Sequence, residues 1–378
     1  MITNSPAGGG HPRGFDFNYE FWFECGCGQR TPVSDTTYDL QCQGVEPYPV
    51  CACGSTIDVA EARPTLRDLS DIDRQPEQVD RHVWYHSSTY QDWPSPTYRD
   101  NVAALVEQSL LPSDKHAAMI AERTSLALHL GTYAAAIENM LRRMADEGSP
   151  SDRYWLHQVE VRLQPGDLSP VVHRELAGWF GAVHISQLSQ LDARAARYVN
   201  THEAVGSISL AIDPSVIARV RTIPLPVASA SLPACTAGET AATHAVAELA
   251  AAEHLRPDTT GLRDDQIFGS PLLASLEANA GKPEVDDRVL QVAQQMSRYR
   301  ERQHAIGSAL EGTLVEAYLA DVNTQVRERF TRVMPTRDCP LEYHERFREM
   351  AGLLVQPHQV VQQFDAAPWR SLNLSPLR

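Results

Sequence analysis

The chain has 378 residues, of which 43% are hydrophobic and 21% charged, and its formal net charge is −15. This composition is ordinary for a globular protein of two or three domains, and the acidic balance does not support a nucleic-acid-binding surface or an anionic-membrane footprint. The amino terminus lacks the basic start and apolar core of a secretory signal, and no apolar stretch reaches the ~18 residues that span a bilayer. We therefore expect a cytoplasmic protein without a membrane partner. Only two of the basic residues are lysines, an arginine bias that indicates a bacterial chain.

Cysteines cluster near the amino terminus, after a glycine-rich stretch over residues 1–18 that we predict to be a flexible leader. Four of them form two copies of one pattern, in which two cysteines flank a single residue and a glycine follows: Cys25, Cys27, Cys51 and Cys53. Clustered cysteines in a reducing compartment are more often metal ligands than disulfides.

Two turns of this kind can supply four thiolates to one tetrahedral zinc, as in a zinc ribbon. The spacing differs from the usual ribbon, which has two residues between paired cysteines, and Cys42 could replace one of the four. Residues 19–60 contain no histidine, which favours a structural Zn²⁺ over a catalytic one because open sites usually include His or a carboxylate. We predict a zinc-ribbon-like segment over 19–60.

The middle of the chain, residues 79–230, alternates strand and helix patterns. An aromatic run at 82–85 predicts a strand that ends at His86, and a second short apolar run ends near His129. Thr132 is a suitable N-cap for the amphipathic helix that follows it. Alternation over 154–163 predicts another strand, and the segment 198–212 has the pattern of two strands joined around Glu203 and Gly206.

Three segments of this region, 84–89, 127–136 and 198–209, carry a strand end with polar residues. In order and spacing they resemble ADP-ribosyltransferases of the diphtheria-toxin and poly-ADP-ribose-polymerase branch. The resemblance covers about 150 residues, the length of one domain. It implies an α+β fold whose catalytic domain, 79–230, is an ADP-ribosyltransferase-like split β-sandwich.

The resemblance also implies roles for residues around the first two strand ends. His86 would hydrogen-bond the adenosine-side ribose of NAD, and the backbone of Ser87, where the family often has glycine, would grip the nicotinamide amide, with Ser88 beside it in the NAD site. Two residues remain open for the second position: His129 at the strand end, or Tyr133, whose ring could stack on nicotinamide.

Glu203 matches the catalytic glutamate of the family in the third segment. A carboxylate there would stabilise the positive charge that develops on the ribose as nicotinamide leaves. Thr201 stands two residues earlier, where arginine-modifying relatives usually have Glu or Gln, so arginine is disfavoured as the acceptor.

The carboxyl-terminal region, 238–366, has long helical patterns, and we predict a helical domain without a catalytic constellation. The expected function is that of an NAD-consuming mono-ADP-ribosyltransferase that transfers ADP-ribose to an unidentified macromolecular or small-molecule acceptor. An NAD glycohydrolase is the alternative if water is the acceptor. The non-enzymatic alternative is a zinc-ribbon protein that binds nucleic acid or protein and carries a degenerate ADP-ribosyltransferase scaffold.

Overall fold

The computed structural model describes residues 15–45, 47–59, 61–62, 64–95, 97–146, 153–175, 183–262 and 287–372. Most of the predicted leader, 1–18, therefore lies outside the described residues. The described chain is an α+β protein with several sheets.

The chain divides into two compact units. Unit 1 comprises Met1–Ser231, Asp321–Val333 and Gly352–Arg378, and unit 2 comprises Leu232–Ala320 and Met334–Ala351. The predicted helical domain, 238–366, does not coincide with unit 2, because parts of it return to unit 1.

The cysteine-rich segment of unit 1 forms a small antiparallel hairpin. Strands β1 (Phe21–Glu24) and β2 (Arg30–Val33) are followed by helix α1 (Asp35–Cys42). The side chain of Ser34 caps α1 by accepting the N–H of Thr37. Apolar side chains of the hairpin are buried against residues 51–59 and against Val205.

Two four-stranded sheets form the main body of unit 1. The first has the order β10-β9-β5-β3 and the second the order β4-β8-β7-β6. Their strands are β3 (Val83–Ser88), β4 (Leu128–Leu130), β5 (Tyr154–Val161), β6 (Leu168–Arg174), β7 (Ala195–Val199), β8 (Ile208–Ile212), β9 (Ile217–Leu225) and β10 (Arg370–Ser371). All pairs are antiparallel except β6 with β7.

The two sheets share one hydrophobic core. Trp84 and Val159 of the first sheet are buried in the same cluster as Leu130 and Leu210 of the second. Both faces of β5 are mostly buried, so the alternation that predicted this strand does not separate a buried face from a solvated one.

The other described helices of unit 1 are α2 (Tyr98–Glu107), α3 (His116–Thr124), α4 (Tyr133–Asp146), α5 (Ile185–Gln190), α8 (Thr324–Arg332) and α10 (Pro357–Gln362). Short 3-10 helices lie at Ile72–Arg74, Pro76–Gln78, Ser113–Lys115, Pro214–Val216, Ala228–Ala230 and Gln363–Ala366. Helix α4 begins where the sequence predicts, because the hydroxyl of Thr132 accepts the N–H of Ala135 at 3.2 Å.

Unit 2 is helical. It contains α6 (Thr236–Ala252), the 3-10 helix Glu253–Leu255, α7 (Asp287–Leu319) and most of α9 (Pro340–Val355). The hydroxyl of Tyr299 on α7 donates to Glu253 at 2.7 Å. Among the described residues, none of the helices combines the length and the apolar character needed to cross a bilayer.

Candidate functional site

The two cysteine turns have the same backbone geometry. In each, the N–H of the first cysteine donates to the carbonyl four residues later, and the glycine N–H donates back to that cysteine, all at 2.8 Å. Gly28 and Gly54 occupy the same place in the two turns, with φ of +82° and +90°. A residue with a side chain rarely adopts this left-handed conformation, which explains the glycine after each pair.

The four sulfur atoms form one cluster, in which all lie within 4.8 Å of one another. The Sγ atoms of Cys25 and Cys53 are 3.6 Å apart, and those of Cys27 and Cys51 are 3.7 Å apart. Tetrahedral zinc with Zn–S bonds of about 2.3 Å separates its sulfurs by roughly 3.8 Å. The four thiols can therefore hold a metal ion such as zinc, and Cys42 is not part of the cluster.

His86 lies inside β3 and not at its end, because the strand continues to Ser88. This corrects the predicted strand end, and it places His86 opposite His157 of β5. Nδ1 of His86 is 2.9 Å from the carbonyl oxygen of His129. A carbonyl only accepts, so Nδ1 carries the proton and Nε2 of the neutral ring is left as an acceptor.

The environment of the His86 ring keeps it uncharged. The ring stacks on Trp93 with centroids 4.1 Å apart and an interplanar angle of 19°. Burial lowers the pKa of His86 to about 3, although the hydrogen bond to the His129 carbonyl acts in the opposite direction and raises it. His86 therefore offers a neutral hydrogen-bond acceptor at neutral pH.

Ser87 lies on β3, an edge strand of the first sheet. The neighbouring Tyr85 exchanges both backbone hydrogen bonds with Gly131, at 2.9 Å each. Because backbone groups two residues apart in a strand face the same side, the N–H and C=O of Ser87 face this edge as well. On this side they form no backbone hydrogen bond with a described residue, although Ser87 is only 1% exposed.

Ser88 has a local structural contact. Its hydroxyl accepts the N–H of Tyr90 at 3.0 Å and closes the turn after β3. The hydroxyl of Ser87, in contrast, is buried without a partner among the described residues.

Of the two residues considered for the second position, the structure places His129 near Glu203 and Tyr133 in the core. Tyr133 has no exposed surface, and its hydroxyl donates to the carbonyl of Leu353 at 2.9 Å. Burial lowers the pKa of His129 to about 4, and the charge of Glu203 opposes the shift. Nε2 of His129 is enclosed and has no partner among the described residues, an arrangement that favours contact with a ligand or water.

A series of hydrogen bonds connects the three segments. Nδ1 of His86 donates to the carbonyl of His129. Nδ1 of His129 forms a hydrogen bond with the Tyr198 hydroxyl at 3.0 Å, and that hydroxyl also bonds Ser209. Ser209 then accepts Nδ2 of Asn200 at 3.1 Å, and Oδ1 of Asn200 accepts the N–H of Glu203 at 2.8 Å. The site residues predicted from separate motifs therefore belong to one polar network.

Glu203 lies in the loop between β7 and β8, and its side chain is oriented by α4. Its Oε1 accepts Nε of Arg142 at 2.8 Å and Nδ2 of Asn139 at 3.2 Å. Oε2 has no partner among the described residues. The residue is 8% exposed, so one carboxylate oxygen is held by protein while the other is available for a ligand.

Sequence reasoning did not identify Arg142, Asn139 or Trp93 as part of this site. Asn139 and Arg142 are three residues apart on α4, a spacing that places two polar side chains on one helix face. That spacing was the available signal, but it does not specify that the partner is Glu203.

Comparisons of the chain with protein-family models, with curated proteins and with solved structures found no match.

Proposed function

We propose that unit 1 binds NAD and cleaves the bond between nicotinamide and ribose, passing ADP-ribose to an acceptor. The observation that carries the proposal is the polar network that joins His86, His129 and Glu203, which come from three distant segments. Buried polar networks are costly unless satisfied, and in this one His129 Nε2 still lacks a partner among the described residues.

Each residue has a defined task in the proposed reaction. His86 Nε2 accepts a hydrogen bond from a ribose hydroxyl, and the unpaired backbone of Ser87 binds the nicotinamide amide. The glycosidic C–N bond breaks, its electron pair leaves with neutral nicotinamide, and positive charge develops on the ribose. Glu203, as a carboxylate, stabilises this charge. The acceptor then attacks the ribose carbon and loses a proton.

We further propose that the bound metal is Zn²⁺ and that its role is structural. All four candidate ligands are cysteines, a closed donor set that leaves no position for substrate. The metal would fix the hairpin whose core includes Val205, two residues after Glu203.

The direct test is nicotinamide release from NAD by the wild-type protein and by Glu203→Gln. The substitution keeps the shape of the side chain and removes its charge. We expect turnover at saturating NAD to fall by ~10²–10³, the usual effect of removing one such electrostatic contact, with NAD affinity nearly unchanged.

Glu107→Gln is the matched control, because Glu107 is exposed on α2 and distant from the network in the chain. Equal turnover in wild type and Glu203→Gln would exclude Glu203 from the reaction. A wild-type protein that neither binds NAD nor releases nicotinamide would instead support the non-enzymatic alternative. Free ADP-ribose as the sole second product identifies a glycohydrolase, whereas label on another molecule identifies a transferase.

A further inference from the structure

One ion pair, between the buried Glu138 and the partly exposed Arg329, contacts the backbone on both sides of Glu203. Oε2 of Glu138 accepts the N–H of Ala204 at 2.9 Å. Nη1 of Arg329 donates to the carbonyl of His202 at 2.8 Å and lies 3.2 Å from Oε2 of Glu138. The residues that directly precede and follow Glu203 are therefore each held by one member of the same pair.

The conformation of Ala204 requires such support. Its φ is +44°, a left-handed conformation that costs a residue with a side chain about 1–3 kcal/mol and persists only where the surroundings enforce it. Glu138 has no exposed surface and also accepts the hydroxyl of Tyr19 at 3.0 Å. Burial raises the pKa of Glu138, and the charge of Arg329 opposes this effect.

The ends of the loop are held by other residues. The N–H of Thr201 donates to Glu175 at 2.6 Å, and the carbonyl of Gly206 accepts the N–H of Arg67 at 2.9 Å. Loss of the ion pair would therefore remove the contacts at His202 and Ala204, while the ends of the loop and the bond from the Glu203 N–H to Asn200 remain.

We propose that Glu138 and Arg329 are positioning residues that hold Glu203 in its catalytic orientation. This inference rests on the proposed NAD-cleaving function. Neither residue needs to contact NAD, because Glu138 is fully enclosed and both act on the backbone next to Glu203. Arg329 comes from α8, 127 positions after His202, so the carboxyl-terminal part of the chain completes the site.

The test compares Arg329→Gln with Arg332→Gln, which makes the same substitution on the same helix. The side chain of Arg332 is 66% exposed, and the ion pair it forms is with Glu328 at 3.9 Å. The first measurement is amide hydrogen exchange over residues 200–207 without NAD. We expect faster exchange in Arg329→Gln and wild-type exchange in Arg332→Gln.

The second measurement is steady-state nicotinamide release. Misplacing a catalytic group by about 1 Å can cost up to ~10² in rate, so we expect kcat of Arg329→Gln to fall at least tenfold with little change in KM. Arg329→Lys keeps the charge that pairs with Glu138 and should restore part of kcat. If Arg329→Gln does not fold, the comparison of Arg329→Lys with the wild type decides the question in the same two assays.

Unchanged exchange and unchanged kcat in the Arg329 variants would overturn the inference, and so would a loss confined to KM. A wild-type protein that releases no nicotinamide would remove the proposed function and the catalytic part of the inference. The exchange measurement would still decide separately whether the ion pair holds the loop.

Discussion

Nδ1 of His129 and the hydroxyl of Tyr198 lie 3.0 Å apart, although 69 positions separate the two residues. They belong to β4 and β7, which are not adjacent, because β8 lies between them. The residue of β8 opposite His129 is Ala211, which is small and fully buried. A small residue on the central strand leaves room for the two flanking side chains to meet.

Removing the hydroxyl of Tyr198 should reduce the free energy of unfolding. Tyr198→Phe leaves Nδ1 of the partly buried His129 without its partner, and an unsatisfied polar group typically costs about 1–3 kcal/mol. Urea unfolding measures the change. Tyr98→Phe is the control, since Tyr98 is 41% exposed, and it should change stability by less than about 0.5 kcal/mol. Equal stabilities of the two variants would show that the hydrogen bond contributes nothing.

The cysteine cluster should bind one metal ion per chain. Elemental analysis is expected to find about one zinc in the purified protein, and Cys51→Ser should lose it while Cys339→Ser, at an exposed cysteine outside the cluster, should keep it. Because Val205 packs in the core of the hairpin, metal loss should also speed amide exchange in the Glu203 loop. Full metal content in Cys51→Ser would contradict the assignment of the four ligands.

The two histidines should not control activity near neutral pH. Burial lowers the pKa of His86 to about 3 and that of His129 to about 4. An ordinary histidine loses its proton near pH ~6.5, so a requirement for a protonated imidazole would make kcat/KM fall as pH rises through this value. We expect no such fall. A decline centred there would mean that one histidine acts in its charged form.

The same pKa shifts predict how stability depends on pH. In the unfolded chain these histidines bind protons below pH ~6.5, whereas the folded protein resists protonation of His129 until about pH 4 and of His86 until about pH 3. The unfolded state therefore binds more protons in this interval, and stability should decline as pH falls from 6.5 towards 4. Unfolding midpoints in urea at several pH values measure this, and His86→Asn should reduce the dependence.

Two helical glycines should respond oppositely to replacement by alanine. A Cβ at Gly352 would overlap the carbonyl oxygen of Ala230, whereas one at Gly312 would have no atom within 4 Å. Overpacking typically costs about 1–3 kcal/mol, and alanine in an open helical position gains up to about 1 kcal/mol over glycine. Thermal unfolding should therefore show Gly352→Ala destabilised and Gly312→Ala unchanged or stabilised. Destabilisation of both would indicate that the contact with Ala230 is not the cause.

Local patterns in the sequence predicted local structure well. The start of α4 at Tyr133, its cap by Thr132, and the two strands joined around Glu203 all follow from short-range spacing, and the structure confirms them. The repeated cysteine pattern likewise predicted a shared metal site, and the structure confirms the cluster that could form it.

Contacts between distant segments could not be predicted in this way. The predicted end of β3 at His86 was wrong. Pairing with β5 extends the strand through His86 to Ser88, and the identity of these residues does not indicate that pairing. Arg329 belongs to a segment whose pattern indicates only an amphipathic helix, and its partner in the loop is set by tertiary packing. Sequence therefore identified candidate site residues, while the groups that hold them depend on the fold.

The return of the chain to unit 1 has a consequence for synthesis and for fragment design. Helix α8 and strand β10 belong to unit 1 but follow Leu232–Ala320 of unit 2 in the chain. A ribosome therefore releases α6 and α7 before it releases Arg329 and the strand that pairs with β9. A truncated protein that stops at Ser231 would contain every site residue predicted from the motifs. It would still lack the edge strand β10 and Arg329, which donates to the carbonyl of His202.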